Sequence, residues 1–266
     1  MTLIAILIGT LVAGIGSVWL AAALSFGALA RYTQHMLSMA AGALMATAFM
    51  HLLPEAFESR VAPHDLFLAL LLGLVFFFLL DKAELWHHGH EHHHPETGHA
   101  HHGHGHDHPH AHAPVQPGSW AVLTGDSVHC FGDGILIASA FMADMRLGAL
   151  AALAVLAHEV PHHMGDLMVL RSGANNKRMA LVKVSLAGAV TALGGLAGYW
   201  LVDLLHDYLP YFLVVASSSF VYVALADLIP QLQKRLSLME TLAQITWLGL
   251  GIGLVSVMSG LAHGGH

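Results

Sequence analysis

Charge is what this sequence has least of. Only 10% of its 266 residues are Asp, Glu, Lys or Arg, against roughly a quarter in a soluble domain, so the chain cannot cover a water-facing surface. Cysteine is nearly absent: Cys130 stands alone, which excludes an intramolecular disulfide and a structural thiolate cluster. Basic residues are few and thinly spread, and no nucleic-acid partner is expected. The first apolar stretch, Leu3 to Phe26, lacks a basic n-region and a clear small-residue cleavage site. It reads as a retained span and not as a signal peptide.

What the chain does have is apolar length and histidine. The hydrophobic fraction is 56% and the mean hydropathy +0.63. Apolar stretches of about 20 residues, each long enough for a bilayer core, recur along it. A sliding window predicts an all-α integral membrane protein with eight transmembrane helices. They fall near residues 3–26, 36–57, 64–86, 118–142, 146–170, 179–203, 208–232 and 241–262. The chain then divides into spans 1–3 (1–86), a loop (87–117), spans 4–5 (118–170) and spans 6–8 (171–266).

Basic residues set the orientation. With the N-terminus outside the cytoplasm, Arg31, Lys82, Arg171, Lys177, Arg178, Lys183, Lys234 and Arg235 lie on or near the cytoplasmic side, and only Arg60 and Arg146 oppose them. That satisfies the positive-inside rule. Both termini are therefore expected outside, in a plasma or inner membrane. The 87–117 loop, with fourteen histidines between His87 and His112, is expected to be cytoplasmic. It has no apolar periodicity and is expected to be disordered. Its imidazoles suit Zn, Cu, Ni and Co; a solvated spacer is the plainer alternative.

The second span ends His51-Leu-Leu-Pro54-Glu55 and the seventh Asp227-Leu-Ile-Pro230-Gln231. The shared pattern, in spans that cross in opposite directions, fits an inverted repeat of spans 1–3 and 6–8 around spans 4–5.

The chemistry lies in spans four and five. They are joined by a very short connection around Ala143 to Leu147 and must be antiparallel neighbours. Span four carries His129-Cys130-Phe131-Gly132-Asp133-Gly134 and span five His158-Glu159-Val160-Pro161-His162-His163-Met164-Gly165-Asp166. Counted from the connection at about 1.5 Å per residue, His129/Asp133 and His158/His162 lie at nearly one depth, near the middle of their spans. Residues four apart share a helix face, so the two pairs can offer four ligands. Glu159, one step round from His158, can bridge to a second ion. Asp133, Glu159 and Asp166 are costly at that depth, and a bound dication is the natural compensation. A single histidine there would read as a hydrogen-bonding core residue, but a cluster of seven titratable groups does not. Cys130 alone would read as inert packing.

These motifs resemble the ZIP (Zrt/Irt-like protein) family of divalent-metal transporters, closest to the subgroup with His-Glu-x-Pro-His on the fifth span. The resemblance extends to His51-Leu-Leu-Pro54-Glu55-Ala56 and Tyr222-Val-Ala-Leu-Ala-Asp227-Leu-Ile-Pro230, and so covers nearly the whole chain. It implies first-site metal ligands at His129, Asp133, His158 and His162, with Glu159 and Cys130 facing a second site. The family usually has Asn after the fourth-span His, so Cys130 is a departure. Some members add a carboxylate from span six; here that span has no acid and only Lys183 as a charge. The second site is expected to be weak or absent.

The expected function is transport of Zn²⁺ into the cytoplasm, with Fe²⁺, Mn²⁺, Cd²⁺, Co²⁺ and Ni²⁺ as further candidate ions. The ion path is expected to pass His51 and Glu55, the span 4–5 site with His163 and Asp166, and then Asp227 and Gln231. The rival is an intramembrane zinc metalloprotease, since His158-Glu159-Val160-Pro161-His162 satisfies H-E-x-x-H with Glu159 as base. A cation diffusion facilitator usually has six spans and a soluble C-terminal domain, and fits less well. Gly188, Gly194, Gly195 and Gly198 in span six allow close helix packing and leave a homodimer open.

Overall fold

The computed structural model describes residues 1–25, 33–89, 118–173, 177–232 and 237–263. Among these, every regular element is helical and no strand occurs. Eight long helical runs follow one another. Helix α1 is Thr2–Leu11, a π-helical turn Val12–Gly16 and Ser17–Ser25. Helix α2 is Thr33–Thr47, a π-turn Ala48–Leu52 and Leu53–Phe57. Then come α3 (Pro63–Gly89), α4 (Gly118–Ala143), α5 (Met145–Gly173) and α6 (Lys177–Leu204). Helix α7 is Leu209–Tyr222, a π-turn Val223–Leu228 and Ile229–Leu232, and α8 is Leu238–His263.

Six of the runs hold segments long and apolar enough to cross a membrane: Thr2–Leu24, Gln34–Phe57, Pro63–Leu80, Arg178–Leu204, His206–Ala226 and Leu238–Val257. The two outside that set, α4 and α5, carry the histidine and carboxylate motifs. Phe67, Leu68, Leu71, Leu72, Val75, Phe76 and Leu79 of α3 are all exposed. An apolar band of that length is what a lipid-facing helix presents, and water would not tolerate it.

Local chemistry accounts for the breaks. The α4–α5 connection is the single residue Asp144, whose Oδ1 accepts the amides of Arg146 (2.8 Å) and Leu147 (3.2 Å). That cap satisfies donors the first turn of α5 would otherwise leave open. Phe141 lies over the space that a side chain at Gly148 would need, which closes the hairpin. Pro54 and Pro230 have no amide hydrogen to bond four residues back, and the helix widens into π geometry immediately before each. Helix α8 opens on a capping box in which Glu240 Oε2 accepts the Ser237 amide at 2.8 Å.

Glycine sets the packing around the hairpin. A Cβ at Gly134 would fall on the Thr191 carbonyl oxygen, one at Gly194 on that of Phe131, and one at Gly198 against Ile135 and Ala138. Helix α6 therefore lies against the back of α4 at backbone distance. Gly14 and Gly188 do the same for α1 and α6, and Gly195 faces Ile6 and Thr10. All four glycines named above in span six are thus used within the chain. On the other side α3 packs on α7, tied where Ser218 Oγ lies 3.1 Å from the Leu70 carbonyl oxygen, and α2 packs on α8.

The histidine-rich connection lies outside the described residues from position 90 onward. So do Arg31, Lys234, Arg235 and the side chains of Asp227 and Gln231.

Two glycines on one helix give a paired test. Gly134→Ala is expected to destabilise the protein by about 1–3 kcal/mol through overpacking, despite the better helix propensity of alanine. Gly132→Ala, with nothing within 4 Å of the new methyl, is expected to be neutral or slightly stabilising. Thermal unfolding in detergent reads both.

Candidate metal centre

Helices α4 and α5 lie side by side, and their facing positions collect donors at three successive levels. The first level is His129, Asp133, His158 and Glu159, whose ligand atoms lie within 4.8 Å of one another. His158 Nε2 is 3.2 Å from Asp133 Oδ2 and 3.4 Å from His129 Nε2. His129 Nε2 is 3.5 Å from Glu159 Oε1 and 3.8 Å from Asp133 Oδ2. A tetrahedral zinc with bonds near 2.0–2.2 Å needs donors roughly 3.3–3.6 Å apart, so the set is close to a closed coordination shell. His158 Nδ1 lies 3.3 Å from the Ala154 carbonyl oxygen. Donation there fixes the tautomer that leaves Nε2 free for a metal.

The second level is Asp126, Cys130, Glu159 and His163, all buried. The third is Asp126, His162 and Asp166. Glu159 belongs to the first two levels and Asp126 to the last two. The levels therefore form one continuous ladder along the hairpin.

Two features differ from the sequence expectation. His162 lies outside the first set. Its ring stacks on His129 with centroids 5.4 Å apart, and its Nε2 is 4.0 Å from Asp126 Oδ1; Glu159 takes the fourth place beside His129, Asp133 and His158. The second level also has donors that span six does not supply. They are Asp126 and His163, and His163 Nε2 lies 3.0 Å from Glu159 Oε2. Asp126 escaped the sequence reading, although its position four residues before Cys130 and three before His129 places it on the same side of the helix.

His163 and Asp166, expected on the ion path, join the ladder at 3.6 Å from each other. His51 and Glu55 do not; they sit on α2, His51 half-buried in its π-turn and Glu55 exposed near its end.

Several donors lie near oppositely charged or imidazole neighbours yet lack an aligned hydrogen bond. Among the described residues, Asp126 Oδ2, Asp133 Oδ2, Glu159 Oε2, Asp166 Oδ2 and both ring nitrogens of His163 are buried without an aligned hydrogen bond. Such atoms are expensive unless something else satisfies them. No lysine or arginine occurs on α4, or on α5 between Arg146 and Arg171. Such a set of donors could hold a cation.

A family model described as ZIP Zinc transporter matches residues 1–259. The chain belongs to the ZIP zinc transporter family. "Zinc transporter ZIP4" of Homo sapiens is 36% identical over 115 residues, which is 43% of this chain and 18% of that protein. "Zinc transporter ZIP10" of Mus musculus is 33% identical over 152 residues, 57% of this chain and 18% of that protein. The chain thus spans under a fifth of the length of these two ZIP proteins. "Zinc transporter ZIP13" of Pongo abelii aligns more fully, at 27% identity over 97% of this chain and 79% of the relative. The intramembrane-protease alternative finds no support in these matches.

The geometry ranks the ligands. His158→Ala is expected to weaken the tightest Zn²⁺ site more than about 100-fold, beyond the range typical of outer-shell partners. His162→Ala is expected to weaken it less. Calorimetric Zn²⁺ titration of the two purified variants checks the order, and the reverse order would put His162 in the first shell.

Proposed function

We propose that this ZIP-family chain carries divalent metal ions, zinc foremost, across the membrane into the cytoplasm, handing them along the α4–α5 ladder. The observation that carries the reading is the four-donor set of His129, Asp133, His158 and Glu159 at matched depth on two adjacent helices. Two imidazoles and two carboxylates suit Zn²⁺, while Fe²⁺, Mn²⁺, Co²⁺, Ni²⁺ and Cd²⁺ can use the same donors.

In this reading all eight helical runs cross the bilayer, with both termini outside. The positive-inside balance supports that orientation. It puts Glu55, Glu58 and Asp144, which share one electrostatic neighbourhood, at the extracytoplasmic mouth. From there an ion meets the His129/Asp133/His158/Glu159 level first. It then passes Asp126 and His163 and reaches Asp166 nearest the cytoplasm. The ion would then leave toward the histidine-rich loop, whose imidazoles can hold arriving ions loosely. Sharing Glu159 and Asp126 between levels lets an ion change partners without ever losing all its ligands.

An inverted repeat supports alternating access around this ladder. Exchange α1 with α6, α2 with α7, α3 with α8 and α4 with α5, and the main helix contacts map onto one another. The α4–α6 pair becomes α5–α1, α2–α8 becomes α7–α3, and α2–α5 becomes α7–α4. The π-turns before Pro54 and Pro230 fall at matching places. A homodimer is not required, because one chain supplies every donor.

Zn²⁺ uptake into proteoliposomes tests the function. Wild-type protein is expected to give saturable uptake, and a well-folded His129→Ala/His158→Ala variant to give none; unchanged uptake in that variant rules the path out. Imidazole must be neutral to bind a metal. The apparent affinity is therefore expected to fall as the pH drops. A pH series of the same uptake assay reads the direction, and affinity that rises on acidification would contradict it.

A further inference from the structure

We propose that a cleft between α3, α4 and α7 takes the acyl chain of a bilayer lipid, which covers the open side of the His129/Asp133 donor level. The cleft has a volume of about 280 Å³. Phe76 and Phe77 of α3, Val128 and Phe131 of α4 and Val215 of α7 line it, and so do the polar side chains of His129, Asp133 and Ser219. The proposal rests on the transmembrane placement of α4 given above, and not on ions being carried.

Burial gives the cleft a direction. Phe76 is 57% exposed, Val128 54% and Phe131 38%, whereas Asp133 and Ser219 are buried. The rim is therefore apolar, and these two polar groups belong to the inner wall. Phe76 is also part of the exposed apolar band of α3 that starts at Phe67. The cleft thus opens on the same side as that band, and a lipid-facing surface runs into it without interruption.

Depth selects the occupant. Phe76 lies at the middle of α3, Val128 and Phe131 flank the middle of α4, and Ser219 is close to that of α7. Helices of this length that cross a bilayer put those positions near its midplane, beyond the reach of headgroups and among the ends of acyl chains. Water entering there would have to pass a rim of apolar side chains. Left empty, the walls would forfeit dispersion contacts on one side. An apolar cavity of about 150 Å³ already takes up benzene, and this one has room for a longer hydrocarbon segment.

The occupant matters to the donor level. The His129 side chain is 26% exposed, while those of Asp133, His158 and Glu159 are 3%, 2% and 1% exposed. His129 is thus where that level meets its surroundings, and it lines this cleft. A hydrocarbon segment laid over the ring keeps water off the donors from the side. It also lowers the local dielectric, which strengthens every charge interaction within the set.

Val215 is half-buried and Ser219 buried, so a lipid tail that marks them has entered the cleft. The test reconstitutes the full-length protein into vesicles containing a phosphatidylcholine with a diazirine near the end of one acyl chain. After irradiation, labelled residues are mapped by mass spectrometry. Label is expected on Val215 and Ser219 as well as on the outward-facing Leu68 and Leu72 of α3. Gly132 also lines the cleft, with nothing within 4 Å of an added Cβ. Gly132→Phe is expected to cut the label on Val215 and Ser219 several-fold and to leave Leu68 and Leu72 unchanged. Phe77→Ala, which enlarges the cleft, is expected to raise it, a gain that a damaged fold would not give selectively. No label on Val215 or Ser219 in the wild type, or label indifferent to both substitutions, would overturn the proposal. Zn²⁺ uptake by the same vesicles is read separately. Label without uptake would remove transport and leave the cleft standing, and uptake without label would do the reverse.

Discussion

Four carboxylates buried on two adjacent helices, with no lysine or arginine between them on either helix, are the constraint on which this molecule turns. In the transmembrane setting proposed for α4 and α5 such charge is costly, and histidines at 3–4 Å relieve it only in part. Under the proposed function, cations occupying the ladder would answer that charge and hold the two helices together. On that proposal, binding and stability of the α4–α5 hairpin are one property. The oxygens and imidazole nitrogens of the ladder that lack an aligned hydrogen bond are the observation behind that reading.

The rest of the chain positions that hairpin. Asp144 caps α5 directly after α4 ends, so the two motifs face each other at equal depth with no slack. Gly134 and Gly194 bring α6 against the back of α4 at backbone distance, and the Gly14–Gly188 contact extends the same packing to α1. Helices α2, α3, α7 and α8 form the opposite flank, with π-turns at Pro54 and Pro230. Those turns place His51 and Asp227 where the backbone is already irregular, a setting in which membrane helices commonly handle ions.

Much of this was legible in the residues. Low charge and recurrent apolar stretches foretold an all-helical membrane protein, and the i,i+4 spacing of His129/Asp133 and His158/His162 pointed to the stretch of α4 and α5 where the candidate donors gather. What sequence spacing does not carry is the rotation of one helix against its neighbour. Glu159 and His162 are nearly a full turn apart, and only packing decides that Glu159 joins His129 while His162 stacks on it. Asp126 was hidden for a different reason. It lies one turn nearer the start of span four than the motif that drew attention. It gains its meaning from His163 on the facing helix.

Zinc K-edge X-ray absorption of the full-length protein at one Zn²⁺ per chain bears most directly on whether the α4–α5 donors hold the metal. A first shell of N/O scatterers at about 2.0–2.1 Å with imidazole outer-shell features, reduced in His158→Ala, is the expected result. A spectrum of hydrated zinc, or an imidazole signal unchanged in His158→Ala, would contradict it.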